Sequence, residues 1–303
     1  MTPMTPELRA ALEGAVMDAT RADWSLSAAA PVSGGCIHAA LRLDGEDAGG
    51  KSAYFAKLAE LERAPLLAAE AEGLVAIRAA GALRVPSVVA RGDDGETAWL
   101  ILEWLELAAL STASGTRLGT ALAAQHRLPQ AKFGWGKDNF IGASLQINGW
   151  SEDWLAFWRD KRIHAQLRMA MKNRYPSKMI DRGERLLTDC EAFFRTHKPV
   201  ASLLHGDLWG GNASALADGT PVVFDPAVYC GDREADLAMT ELFGGFPKDF
   251  HAAYRNAWPL DEGYPVRRDF YNLYHVLNHA NLFSGGYVEQ GARLIERLLA
   301  EIR

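Results

Sequence analysis

Cysteine is scarce in this chain: three in 303 residues, at positions 36, 190 and 230. An odd count at wide spacing gives neither a disulfide framework nor a zinc-ligand pattern. It fits a reducing cytoplasm. Long apolar runs are missing too. No stretch of about 18 apolar residues occurs, so no membrane-spanning helix is expected. Met1 to Ala10 also lacks the apolar core of a secretory signal. Nor is basic charge in excess. Lys and Arg total 32 against 38 Asp and Glu, a formal net charge of -6. That excludes nucleic-acid binding through a broad basic face and is compatible with a cationic small substrate. No internal repeat or low-complexity tract is present.

The remaining composition is that of a globular protein, 49% hydrophobic and 23% charged. Pro6, Leu8, Leu12 and Val16 predict an opening amphipathic helix. Strand-like runs follow over Trp24 to Val32, Cys36 to Leu43, Tyr54 to Leu58, Pro86 to Ala90 and Thr97 to Glu103, with a helix from Pro65 to Ala80 among them. Residues 1–103 therefore read as a small antiparallel sheet carrying one main helix. Residues 104–303 read as mostly helical. Helices are expected at Gly115 to Leu128, Glu152 to Met171, Pro176 to His197, Ala235 to Phe243, Val266 to Phe283 and Glu289 to Ile302. Short strands are expected at Leu203 to Leu204 and Val222 to Asp225, and an ordered loop at Pro129 to Trp150. The outline is an α+β chain of two lobes, and clefts between lobes commonly hold ligands.

The most informative segment is Leu203-Leu204-His205-Gly206-Asp207-Leu208-Trp209-Gly210-Gly211-Asn212. Asn212 stands five residues after Asp207, and Val222-Val223-Phe224-Asp225 supplies a second carboxylate at the end of an apolar run. Phosphoryl transfer calls for this set: a carboxylate to take the proton of the attacking hydroxyl, and an amide oxygen with a second carboxylate to hold magnesium on the phosphates. Read singly, His-Gly-Asp is also a turn and Asp225 a strand end. Upstream, Lys57 lies in an apolar strand on the face of Ala53 and Phe55. Glu70 lies on the apolar face of the next helix with Leu67, Leu74 and Ile77. Glu72, rotated by about 200°, is expected in solvent. An inward Lys57 and Glu70 match the pair that kinases use on the α- and β-phosphates.

Weaker signals complete the set. Gly34 and Gly35 allow close approach to phosphates, and equally a hairpin turn. Leu102-Glu103-Trp104-Leu105-Glu106 is the connection whose backbone would meet adenine, at Glu103 and Leu105. Asp236 is either a helix N-terminal carboxylate or a brace for the catalytic loop. His275, Asn278 and His279 are either satisfied polar groups in a core or a wall of the substrate pocket.

The segment 203–212 resembles the motif of the fructosamine and ketosamine kinases, within the aminoglycoside-phosphotransferase and choline-kinase-like clan. Gly34-Gly35-Cys36-Ile37, Arg84-Val85-Pro86, Lys132-Phe133-Gly134, Asp225-Pro226-Ala227, Phe243-Gly244-Gly245-Phe246-Pro247 and Leu277-Asn278-His279 extend the resemblance over nearly the whole chain. The resemblance implies a two-lobe protein-kinase-like fold, with ATP and Mg2+ used to phosphorylate the carbon-3 hydroxyl of ketosamines, destabilising the adduct and freeing its amine. It implies Asp207 as base, Asn212 and Asp225 for magnesium, Lys57 and Glu70 for phosphates, and Trp209 with His205 beside the substrate. It also makes Cys36 either an unoxidised small residue at a turn or the site of a regulatory intermolecular disulfide, by which oxidation would join two otherwise monomeric chains. His38 departs from the Asn expected there. Asp225-Pro226-Ala227 stands where protein kinases carry Asp-Phe-Gly, and no long activation-loop segment follows it. Rival readings are an aminoglycoside, choline or other sugar kinase, an inactive nucleotide-binding module, and a magnesium-dependent phosphohydrolase.

Overall fold

The computed structural model describes residues 4–32 and 39–302. The opening helix α1 (Pro6–Thr20) is capped by Thr5, whose side chain accepts the Leu8 N–H at 3.1 Å, with proline in its first turn. Five antiparallel strands follow: β1 (Ser25–Pro31), β2 (Ala39–Asp47), β3 (Gly50–Glu60), β4 (Val88–Asp93) and β5 (Thr97–Glu103), in the order β1-β2-β3-β5-β4. Helix α2 (Ala64–Ala80) joins β3 to β4. The strand expected over Cys36 to Leu43 lies partly outside the described residues. Strand β5 sits between β3 and β4 and is buried from Thr97 to Leu102, which is why it reads as an unbroken apolar run.

Alternation along β3 sorts the two faces of the sheet. Tyr54, Ala56 and Leu58 join Leu8, Leu12 and Val16 of α1. Phe55 and Ala59 join Leu67, Leu74 and Ile77 of α2. This second cluster continues through Leu118, Leu122, Leu203, Leu208 and Val223, so the sheet and the helical part share one core.

The helical part contains α3 (Thr112–Arg127), the hairpin β6 (Asn139–Ile141) and β7 (Ser144–Gln146), α4 (Trp154–Trp158), α5 (His164–Lys172) and α6 (Ser177–Asp189). Then come β8 (Ala201–Leu204), β9 (Ala213–Ala215), β10 (Pro221–Val223), β11 (Tyr229–Asp232), α7 (Glu234–Leu242), α8 (Lys248–Ala257), α9 (Tyr264–Phe283) and α10 (Gly286–Glu301). Several features depart from expectation, among them a helix α6 that ends at Asp189 rather than reaching His197. The loop at 129–150 carries the β6–β7 hairpin. The helix expected over 152–171 is interrupted by a π turn at Arg159–Ile163, where Arg162 turns inward and donates to the Ile147 carbonyl at 2.6 Å and to Asn148 Oδ1 at 2.8 Å. Helix α8 was not expected: it buries only Phe250 and Tyr254. Among the described residues no helix is long and apolar enough to cross a membrane.

One buried ion pair ties α7 to α9. Arg267 Nε meets Glu234 Oε2 at 2.7 Å and Nη2 meets Oε1 at 3.0 Å, with both side chains fully buried. Removing the guanidinium strands a carboxylate in the core. Arg267→Met is expected to lower unfolding free energy by about 3–5 kcal/mol in urea titration. A loss under about 1 kcal/mol would show that water reaches Glu234.

Candidate active site

Strand β8 pairs antiparallel with β11, Leu204 opposite Tyr229, and delivers the chain into His205-Gly206-Asp207. The turn has a specific geometry. Gly206 has φ of 82°, and a Cβ there would come within 2.0 Å of the Ala227 carbonyl oxygen, so only glycine fits. Asp236, in the first turn of α7, accepts the His205 N–H at 2.7 Å and the Gly206 N–H at 2.8 Å. His126 Nε2 meets the same carboxylate at 3.1 Å. Burial alone would raise the Asp236 pKa, but His126 and these N–H groups hold it below the ordinary range. Of the two readings left by the sequence, the carboxylate has the contacts of a brace.

The spacing between Asn212 and Asp225 is a β-hairpin. Strands β9 and β10 pair with Ala213 opposite Val223, and the Phe224 N–H donates to the Asn212 carbonyl at 3.1 Å. Asn212 Nδ2 donates to the Asp207 carbonyl at 2.9 Å, with the Asp207 carboxylate at 3.4 Å and the Asp225 carbonyl at 3.5 Å. One amide thus ties both carboxylate-bearing residues together and leaves its own Oδ1 as acceptor. Asp225 sits at φ of 56°, a left-handed conformation unusual for aspartate. Half-buried Asp207 has its pKa raised to about 7, first by burial and then by the charges of Asp225 and Asp236, with Asn212 opposing.

Lys57 closes the site from the sheet side. Its Nζ lies 2.8 Å from both Glu70 carboxylate oxygens and 2.6 Å from Asp225 Oδ1. Burial disfavours the ammonium, but the two carboxylates outweigh it and raise its pKa. Glu70 is raised as well, by burial first and despite Lys57. Glu72, expected in solvent, is half-buried and meets Lys137 at 2.7 Å. Lys57 thus bridges the carboxylates of Glu70 and Asp225, and the Asn212 amide brings Asp207 beside Asp225. These hard oxygen donors, with the Asn212 amide oxygen, fit a small divalent cation such as Mg2+.

Other expectations divide. Gly34, Gly35 and Cys36 lie outside the described residues. Glu103 is engaged in the sheet lobe: its carboxylate accepts from Arg84 and from the Ser87 N–H at 3.0 Å, and its own N–H donates to the Ser87 carbonyl at 2.9 Å. It therefore ties the lobe together, and its N–H is not open to a base. Leu105 makes no backbone hydrogen bond among the described residues. His205 does not face a substrate pocket. Its ring is buried, Nε2 donating to the Phe224 carbonyl at 3.0 Å and Nδ1 accepting the Asp207 N–H at 3.3 Å. It thereby links the loop of Asp207 to the residue that precedes Asp225.

His275 and Asn278 are core residues, 2% and 3% exposed. Asn278 accepts from Gln166 at 3.2 Å and donates to the Ile141 carbonyl at 3.4 Å. Burial lowers the His275 pKa to about 3, which keeps it neutral. Trp209 is 40% exposed. Its indole lies over Gly211, where a Cβ would come within 2.3 Å of the ring.

A buried amide network escaped the sequence reading. Asn139 Nδ2 donates to the Val228 carbonyl at 2.7 Å, Gln146 Nε2 to the Ala227 carbonyl at 3.0 Å, and Tyr274 OH to Gln146 Oε1 at 2.9 Å. The β6–β7 hairpin thus pins the backbone that follows Asp225. The sequence signal is a cluster of amides, Asn139, Gln146 and Asn148, interleaved with Phe140, Ile141, Leu145 and Ile147.

The model of the family described as fructosamine kinase matches residues 10–301. The chain belongs to the fructosamine kinase family. A relative from Synechocystis named as a probable ketoamine kinase is 42% identical over 274 residues, covering 88% of this chain and 89% of that protein. A chloroplastic protein-ribulosamine 3-kinase from Arabidopsis thaliana is 35% identical over 275 residues, covering 90% and 82%. A crystal structure from Haemophilus somnus assigned as a fructosamine-3-kinase superposes with a TM-score of 0.85 at 27% identity, over 95% of this chain and 96% of that one. The fold of this fructosamine kinase family member is the two-lobe kinase-like fold, and it is a phosphotransferase.

Proposed function

We propose that this enzyme transfers the γ-phosphate of ATP to the carbon-3 hydroxyl of ketosamines, with Asp207 as the base. The observation that carries the reading is the convergence of Asp207, Asn212, Asp225 and the Lys57–Glu70 pair from two lobes into one site. Residues 1–103 serve as the nucleotide lobe and 104–303 as the catalytic and acceptor lobe. Lys57, held by Glu70, meets the α- and β-phosphates, and the free backbone of Leu105 meets adenine. Asp207 takes the proton of the acceptor hydroxyl. The hydroxyl oxygen bonds to the γ-phosphorus while the bond to the β-phosphate oxygen breaks, and ADP leaves. Magnesium, held by Asn212 Oδ1 and Asp225, would neutralise phosphate charge.

Asp236 and His205 act as positioning residues for Asp207. The names of the relatives favour a ketosamine over an aminoglycoside or choline. An inactive nucleotide-binding module is disfavoured because the base, the amide and both phosphate-site charges are all present. Free and buried Cys190 and Cys230 support a cytoplasmic placement of a monomer. A Cys36-linked dimer would appear on non-reducing gels after peroxide and vanish in Cys36→Ser.

The test is ADP release from Mg-ATP with ribulosyl-lysine, erythrulosyl-lysine, fructosyl-lysine, choline and kanamycin. Turnover on a ketosamine supports the assignment and ranks the sugars. Turnover on choline or kanamycin alone would overturn the acceptor assignment and leave the phosphotransfer chemistry standing.

A further inference from the structure

Beside the catalytic loop lies a set of aromatic rings that the phosphotransfer chemistry does not use. Phe243 follows the last turn of α7 and leads into Gly244-Gly245, whose backbone packs on the loop itself. A Cβ on Gly210 would meet the Gly244 carbonyl oxygen at 2.8 Å. The Trp209 and Phe243 rings meet edge to face with centroids 6.4 Å apart. Phe243 lies 4.9 Å from the His279 ring, which is 5.6 Å from Phe283 and 5.2 Å from Tyr287. Trp209, Phe243 and Phe283 are 40%, 39% and 56% exposed. Exposed aromatic side chains gathered in one patch mark a binding surface.

His279 sits at the centre of the set, and its tautomer is determined by its partner. Nδ1 lies 2.8 Å from the His275 carbonyl oxygen, which can only accept, so Nδ1 carries the proton. Nε2 is left with a lone pair, and no donor meets it among the described residues. Burial holds the ring below its ordinary pKa, so it is neutral near pH 7. The set therefore offers one strong acceptor among three tilted aromatic rings, with no positive charge of its own.

We propose that His279 Nε2, within the rings of Phe243, Phe283 and Tyr287, receives the ammonium of the acceptor, the protonated secondary amine that joins the ketose to its amine. This rests on the ketosamine reading above and adds the feature by which the acceptor is told from a free sugar. Carbon 1 bears that amine and is two carbons from the hydroxyl served by Asp207. The ammonium must therefore lie close to Asp207, and Trp209 stands two residues from it in the chain. An N–H donor matches the imidazole lone pair, and the cation matches the ring faces. A sugar without the amine would leave both unused.

The experiment compares fructosyl-lysine with 1-deoxyfructose, the same ketose without the amine, by KM or inhibition constant with Mg-ATP. Affinity for fructosyl-lysine relative to 1-deoxyfructose is expected to fall about tenfold in His279→Leu and in Phe283→Ala. His279→Gln, whose amide oxygen can accept, should stay within about threefold of the unaltered enzyme. Phe283 is exposed at the end of α9, so its truncation leaves the fold intact, which thermal melting checks. An unchanged ratio in both variants, or equal losses for the two ligands, would overturn the proposal. Failure of the unaltered enzyme to phosphorylate any ketosamine would instead sink the functional assignment on which it rests.

Discussion

Asp207→Asn is expected to lower kcat about 10²–10⁴-fold while ATP affinity, read by calorimetry, stays within about twofold. The substitution keeps the shape and the Asn212 contact but removes the group that takes the proton. A variant retaining most of its rate would exclude Asp207 as the base. The pH profile carries the same information. Asp207 has a pKa raised to about 7, and a base works only when deprotonated. The kcat/KM for the acceptor should therefore rise with pH through about 7 and level off above it, and Asp207→Asn should lose that limb. The shift has a stability sign as well. Between the ordinary aspartate value near about 4 and the folded value, the folded state binds more protons than the unfolded one. Stability from this group is thus present below that window and lost as pH rises through it. Asp207→Asn should flatten that slope in urea titrations at successive pH values.

Lys57→Met is expected to lower kcat/KM for ATP about 10²–10³-fold, as loss of a charged group aimed at phosphate does. It should also destabilise the fold, because Glu70 and Asp225 would then face each other without their shared ammonium. Adding Glu70→Gln separates the two effects. The double variant should recover much of the melting temperature and none of the turnover. If turnover returned together with stability, Lys57 would be a structural ion-pair member and not a phosphate ligand.

Local patterns carried the parts of the site that lie within short stretches of chain. Asp207 and Asn212 share one loop, and Asp225 ends a hairpin that begins at Asn212, so their convergence needs no long-range information. Lys57 and Glu70 were readable because strand and helix periodicity each point a charged group inward, and two such groups must meet. Helix α9 was not readable in the same way. It is buried continuously from Phe270 to Asn278, so helical spacing cannot tell which face meets a pocket and which meets the core. The sequence therefore left His275 and Asn278 open between core and pocket wall; both are buried, and His279 is half-buried one residue further on. The β6–β7 hairpin has strands of three residues, too short to show alternation. Its function depends on contacts to Ala227 and Val228, more than 80 residues away. His205 shows a related limit: the motif located the residue, but its ring direction follows from the Phe224 carbonyl across the hairpin.

In the proposed reaction a sugar hydroxyl, activated at Asp207, takes the phosphate. The most direct measurement is phosphorus–proton correlation NMR of the product formed from Mg-ATP and fructosyl-lysine. A single phosphate coupled to the proton on carbon 3, formed in step with ADP and absent with Asp207→Asn, is the predicted result. Free inorganic phosphate with unmodified fructosyl-lysine, or phosphate attached at another carbon, would contradict it.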